Sequence, residues 1–164
     1  MKLPVPTVFL VAALFSLAAC GPSDGFKPGV ATLPQVVNKL GQPSMIWSDS
    51  NGNLVVEFSR LPKHPETFMA HFSRDGVLLR LEQVLTESRV VNLQEGMNRE
   101  EVRRLMGKPG SVEQATPTRG ERWHWPLDSQ QPAHLQLSVE FNTQGQLQHM
   151  VHERIRKEML PPAG

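Results

Sequence analysis

Apolar positions recur along the chain in two rhythms. Leu135, Leu137, Val139 and Phe141 alternate with Gln136, Ser138 and Glu140. A period of two gives a strand with one apolar face and one wet face. Val102, Leu105 and Met106 recur at spacings of three and four, which predicts a short amphipathic helix. Its ends are marked. Asn98 can accept from the first-turn amides while Glu101 reaches back to the Asn98 N–H. Met97 and Val102 occupy the two positions of a hydrophobic staple, and Gly107 followed by Pro109 stops the helix.

The same device stands upstream. Thr32, Gln35, Val36, Gly41 and Pro43 match Asn98, Glu101, Val102, Gly107 and Pro109. Hairpin signals come after each helix, Asn51-Gly52-Asn53 in one copy and Thr118-Arg119-Gly120 in the other, with strands over 54–60 and 121–126. A second turn, Phe72 to Leu78, matches Phe141 to Leu147 with phenylalanine and glycine in register. Helix positions are offset by 66 residues (Thr32 to Asn98) and the second turns by 69 (Phe72 to Phe141). The pattern predicts an α+β chain built from two repeats, each a short helix followed by a three- to four-stranded antiparallel meander. Units of this size without disulfide or metal are marginal alone. The two are therefore expected to join into one curved sheet with helices on one face, the alternative being two beads linked by residues 87–95.

The first twenty residues obey neither rhythm. An apolar run from Val8 to Ala19 ends in Leu17-Ala18-Ala19-Cys20. It is the length of a signal-peptide core and too short to span a bilayer. Cys20 is the only cysteine, which excludes an internal disulfide. Leu17-Ala18-Ala19-Cys20 resembles the lipobox of bacterial lipoproteins, and the resemblance implies cleavage before Cys20, acylation of its thiol and anchoring in a membrane. Gly21 rather than Asp after the cysteine implies the outer membrane. The expected organisation is a signal peptide (1–19), a flexible tether (20–29), unit one (30–91), unit two (92–158) and an irregular tail (159–164).

Charge adds little. The chain carries 17 basic and 16 acidic residues, and removal of Lys2 with the leader makes them equal. No electrostatic footprint for nucleic acid is present. The six histidines show no His-Glu-x-x-His run. No Gly-x-Ser-x-Gly elbow or phosphate-cradling glycine cluster occurs. The expectation is a non-enzyme without cofactor, metal or small-molecule substrate. Solvated surface positions are expected for the histidines, except that His149, between Leu147 and Val151, falls on the inward side of its strand. Arg99, Arg103 and Arg104 are expected to form the solvated helix face. Trp123 and Trp125 share one face of a strand, opposite Arg122 and His124. Core packing is the default for such tryptophans and partner anchoring the alternative. Arg99, Arg103, Arg122, Trp123 and Trp125 are thus the candidate partner-binding residues, and Trp47 is open to either reading.

Gly96-Met97-Asn98-Arg99-Glu100-Glu101-Val102, followed by Leu105-Met106-Gly107-Lys108-Pro109, resembles the opening of the BamE-like (SmpA/OmlA) lipoprotein family. Arg122-Trp123-His124-Trp125 and Leu137-Ser138-Val139-Glu140-Phe141 with Gly145 are similar to its tryptophan-bearing strand and last hairpin. The resemblance implies an outer-membrane lipoprotein facing the periplasm, an accessory to the machinery that folds β-barrel proteins, with assembly subunits as protein partners. Typical members have one such unit where this chain has two, and Gly29-Val30-Ala31-Thr32 matches the opening less well. The tandem arrangement also resembles the β-lactamase-inhibitor-protein architecture. A periplasmic inhibitor or protein-binding module with a concave sheet is the alternative function, and the absence of tyrosine argues against it.

Overall fold

The computed structural model of the chain describes residues 25–116, 120–127 and 134–155. Cys20, the leader and the tail, 159–164, lie outside the described residues. The order is α1 (Leu33–Leu40), β1 (Met45–Ser48), β2 (Leu54–Ser59), β3 (Thr67–Phe72), β4 (Leu78–Gln83), α2 (Glu87–Val90), α3 (Arg99–Met106), β5 (Ser111–Thr116), β6 (Gly120–Leu127), β7 (His134–Phe141) and β8 (Leu147–Ile155). The α+β class and the two helix-plus-meander repeats are those the sequence predicts.

Local chemistry explains the helices. Asn98 Oδ1 accepts from the Glu101 N–H at 3.0 Å, and Glu101 Oε2 accepts from the Asn98 N–H at 2.8 Å. Gln35 Oε1 accepts from the Thr32 N–H at 2.9 Å in the upstream copy. Two-turn helices need tertiary packing to persist, and each finds its own sheet. Val36 of α1 joins Val56, Phe58, Phe68, Ala70, Phe72 and Leu78. Val102 and Met106 of α3 join Trp125, Leu137, Val139, Phe141 and Leu147.

The repeats correspond down to backbone detail. Thr32 bridges to Val77 as Asn98 does to Gln146. The Leu78 N–H donates to Ala31 O and the Leu147 N–H to Met97 O, each at 2.7 Å. A register shift occurs after His71 in one ladder and after Glu140 in the other. This second shift corrects the expectation for His149. Leu147 pairs with Phe141 on the core side, but past the irregularity His149 pairs with Glu140 on the polar side. One extra residue reverses the facing of the rest of the strand, so His149 is exposed and Met150, opposite Val139, turns inward.

The expected single curved sheet is instead two four-stranded sheets, ordered β1-β2-β3-β4 and β5-β6-β7-β8. Among the described residues no ladder joins β4 to β5, because α2 and α3 intervene and take up the connecting chain. Residues 87–95 are not a bare linker: Glu87–Val90 form α2, and Val90 and Leu93 pack against the core of the second sheet. The helices also do not share one face. Helix α1 covers one face of the first sheet, whereas the C-terminal end of α3 reaches its other face.

That approach is close. Gly107, at φ 75° and ψ −172°, uses a backbone region essentially restricted to glycine. A Cβ there would lie 2.6 Å from Thr67 Cγ2 of β3. Gly107→Ala is expected to lower the unfolding free energy by about 2–4 kcal/mol, from backbone strain and overpacking together. Urea unfolding checks this, and a loss below about 1 kcal/mol would mean the units stand further apart in solution.

Candidate functional site

The face of the first sheet opposite α1 is set by cross-strand register. One row reads Met45, Glu57, Met69 and Glu82, and the next reads Trp47, Val55, His71 and Arg80. A sheet whose second face carries Val55 at 4% exposure and Met69 at 2% must have that face covered. Part of the cover is α3. Arg103 Nε donates to Glu57 Oε2 at 3.3 Å, and the Lys108 backbone N–H donates to Glu57 Oε1 at 3.1 Å. Glu57 is itself fully buried. A buried carboxylate persists when paired and hydrogen-bonded, and both partners come from the second unit. Arg103 is therefore not part of a solvated face. It clasps the two units, and its guanidinium is engaged.

Beyond the clasp the same face opens into a cleft of about 410 Å³ between the sheet and the α2–α3 segment. Trp47, Val55 and Met69 supply its apolar lining, and Arg80, Arg89 and Arg104 its cationic lining. Arg80 and Arg89 both pair with the single carboxylate of Glu82. Arg104 pairs with Glu100 one helical turn away. Arg80 Nη2 lies 2.9 Å from His71 Nε2. Burial holds the His71 imidazole below its ordinary pKa, and the Arg80 charge pushes the same way, so Nε2 accepts from Arg80. Asp49 stands at the mouth, its Oδ1 accepting from the N–H groups of Asn51 and Asn53. Burial opposes its ionisation, but these bonds outweigh that and keep its carboxyl below the ordinary range. Sequence reasoning leaves Trp47 open and does not single out Arg80 or Arg89. The alternation within each strand places them on a face, but not opposite one another.

The remaining candidates separate. Arg99 and Trp123 come together through Glu121, whose Oε2 accepts from Arg99 Nε at 2.9 Å and from Trp123 Nε1 at 3.0 Å. Arg99 also lies over the Phe141 ring at 5.6 Å. Arg122 is on the opposite face of β6, paired with Glu140. Trp125 is fully buried, its Nε1 donating to Gly107 O at 3.0 Å. Core packing wins for Trp125, which has no surface to offer a partner. Trp123 is half-buried beside it, with ring centroids 5.9 Å apart.

Glu121 gives a pH prediction. Partial burial opposes its ionisation, but the hydrogen bonds from Trp123 and Arg99 outweigh this and hold its carboxyl below the ordinary value of 4.5. The unfolded chain then binds more protons than the folded one between the two values. The stability linked to Glu121 is fully present above pH 4.5 and is lost as pH falls through the lower folded value. Glu121→Gln is expected to flatten the acid limb of stability against pH in that window. An unchanged limb in denaturant titrations would show that the Arg99 and Trp123 bonds do not persist.

The histidines do not all behave as solvated surface groups. His124 lies on the outer face of the second sheet, yet its side chain is only 12% exposed. Its Nδ1 is 2.8 Å from Ser138 Oγ and 2.7 Å from Gln136 Nε2. Its Nε2 is buried without a hydrogen-bond partner among the described residues, 3.5 Å from a Glu113 carboxylate oxygen. Among the described residues, no three His, Cys, Asp or Glu side chains cluster to hold a metal. No described helix is long and apolar enough to cross a membrane.

Comparison with known proteins divides the chain. No curated protein matches it. Among solved structures, a Streptococcus mutans protein provisionally described as a beta-lactamase inhibitor protein matches at 8% identity with a TM-score of 0.35. That match covers 74% of this chain and 82% of the other. The family described as outer membrane protein assembly factor BamE domain matches residues 82–150. Those residues run from the end of β4 through α2 and α3 into β8, taking in the Arg99–Glu121–Trp123 cluster, the clasping Arg103 and the cleft arginines Arg89 and Arg104. Over those residues the second unit of this chain is similar to the BamE domain.

Proposed function

We propose that the chain is a non-catalytic accessory of outer-membrane protein assembly, held at the outer membrane by lipid on Cys20 and facing the periplasm. The match of residues 82–150 to the assembly-factor domain carries this reading. The cluster of Arg99 and Trp123 in the second unit has the residue types that anchor partners at interfaces. The lipid would confine the protein to the membrane surface and raise its effective concentration near an assembly subunit. The residues ahead of Phe26, which itself packs against the first core, would give the tether its reach. Units one and two, over 30–91 and 92–158, would move together as one clasped body.

The test is an affinity pull-down of the tagged full chain from membranes in mild detergent, beside a Cys20→Ser variant. Recovery of β-barrel assembly subunits with the wild type, reduced for the variant, is expected. Recovery of one periplasmic enzyme in equal amount, without those subunits, would replace the adaptor reading with the inhibitor reading. A variant that stays membrane-bound would remove the lipid anchor from the proposal.

A further inference from the structure

The clasp between the units uses a position that the second sheet repeats and leaves open. Register aligns the two sheets row for row. Met45, Glu57, Met69 and Glu82 form one row of the first sheet, and Ser111, His124, Ser138 and Val151 form the matching row of the second. The Ser44 N–H donates to Glu57 O and the Gly110 N–H to His124 O, each at 2.8 Å, so His124 is the counterpart of Glu57. Glu57 is buried, and α3 brings Arg103 and the Lys108 N–H onto it. His124 has a side chain only 12% exposed, yet its Nε2 is buried with no hydrogen-bond partner among the described residues. Glu113 Oε2, 3.5 Å away, does not accept from it. A buried polar atom left unpaired is costly. Helices α2 and α3 both pack on the other face of this sheet, so no described helix covers His124 as α3 covers Glu57.

The mate for such a position stands at the front of the chain. In and after α1, Val37, Asn38, Gly41 and Gln42 occupy the places of Arg103, Arg104, Gly107 and Lys108. Gly107 is buried against Thr67 of the first sheet, whereas Gly41 is exposed and a Cβ on it would meet nothing within 4 Å. We infer that a second copy of this chain docks here: α1 of one copy seats on the outer face of the second sheet of the next, as α3 seats on the first sheet within the chain. The chemistry changes in step on the two sides. Val37 stands in for Arg103 where His124 stands in for Glu57, so no buried carboxylate is stranded without its cation. Gln42 brings a backbone N–H and a side-chain amide, one of which pairs with His124 Nε2 in either ring tautomer. Pro34, Gln35 and Asn38, exposed on α1, are uncharged. Arg122 and Glu140 on the sheet satisfy each other, and Glu113 stays 61% exposed on the edge strand. A contact between two different surfaces of one chain is heterologous, and it continues from copy to copy until a ring closes. The inference goes beyond the assembly reading and does not depend on it.

Thiol crosslinking of the purified full chain in mild detergent tests it. Asn38→Cys and Glu113→Cys, both at exposed positions, are mixed and treated with a short bismaleimide. The counterparts of these residues, Arg104 and Trp47, line one cleft within the chain, so the proposed contact brings the two thiols together. Covalent dimer is expected from the mixture and not from either variant alone, because a heterologous contact pairs unlike surfaces. The wild-type chain, whose only cysteine is Cys20, sets the background from that thiol. Asn38→Cys mixed with Gln144→Cys, in the β7–β8 turn, sets the level of random encounter. Sedimentation velocity gives a readout without introduced thiols. The wild-type boundary is expected to move faster as concentration rises, and Asn38→Trp, a bulky ring at an exposed helical position, is expected to abolish that shift. No dimer above the Gln144 level overturns the proposal and makes the polar outer face of the second sheet the end cap of a two-repeat array. A concentration-dependent boundary that Asn38→Trp leaves unchanged also overturns it. So does linkage within each variant alone as strong as in the mixture, which would mean a pairing of like surfaces.

Discussion

Replacing Arg103 by alanine is expected to lower the unfolding free energy by about 3 kcal/mol. Glu57 is fully buried in the middle of β2. Among the described residues Arg103 is its one charged partner, with a side chain 24% exposed. Truncation leaves a carboxylate in a low-dielectric site with only the Lys108 N–H to satisfy it. Breaking such a pair typically costs about 3–5 kcal/mol, and the partial exposure of Arg103 places the effect at the lower end. Replacing both members apolar, Glu57→Leu with Arg103→Ala, should recover much of the loss, because the penalty belongs to the stranded charge rather than to the pair. A double-mutant cycle by urea unfolding reads the coupling directly. If Arg103→Ala alone costs less than about 1 kcal/mol, the clasp is a surface contact and the two units are held by something else.

Trp125→Ala should be at least as damaging, about 3–5 kcal/mol, against a net stability of only about 5–15 kcal/mol for a domain. The side chain is the largest of the fully buried ones and sits among Leu137, Val139, Phe141 and Met106. Its truncation opens a cavity and also removes the donor to Gly107 O. That carbonyl lies where α3 ends and the first sheet begins, so the loss touches both the second core and the interface between units. Trp125→Phe keeps most of the volume and loses the bond, and about 1–3 kcal/mol is expected for leaving the carbonyl unpaired. Hydrogen exchange distinguishes the parts: amides of β6 and β7 should open first in Trp125→Ala, before those of β2 and β3. Uniform loss of protection across both sheets would mean that the two cores unfold as one.

Much of the architecture is legible in the sequence because it is locally encoded. Asn98 with Glu101 and Gly107 with Pro109 bracket a helix by hydrogen bonding and backbone geometry alone, without reference to the rest of the chain. The alternation from Leu135 to Phe141 assigns those side chains to the faces they occupy, since a strand's faces are set by parity. The repeat is readable for the same reason, as both copies use the same local devices. Parity also shows where such reading stops. Counting from Leu147 places His149 inward, and an irregularity opposite Glu140 and Phe141 reverses it. Nothing in residues 147–151 announces that shift, because it arises from how two strands pair.

The functional residues divide along the same line. Their shared strand face gives Trp123 and Trp125 the same two readings, core packing or partner anchoring, and only burial in the folded chain removes Trp125 from the candidate partner-binding residues. Arg103 reads as solvated because its neighbours Arg99 and Arg104 lie on the same helix; its partner, Glu57, is far away in sequence. The cleft is hidden altogether. Trp47, Val55, His71 and Arg80 come from four strands, and only register sets them in one row.

What the sequence by itself determined was features governed by contacts a few residues long: helix ends, turns, the alternating faces of β7 and the duplication. Tertiary structure alone decided that the units form two sheets rather than one, that Arg103 and Glu57 clasp them, and which side chains meet across the inner face. The reason is range. Capping, turn geometry and side-chain alternation are set within one turn or one strand, whereas pairing a buried charge across 46 positions depends on how two independently packed cores come to rest against each other.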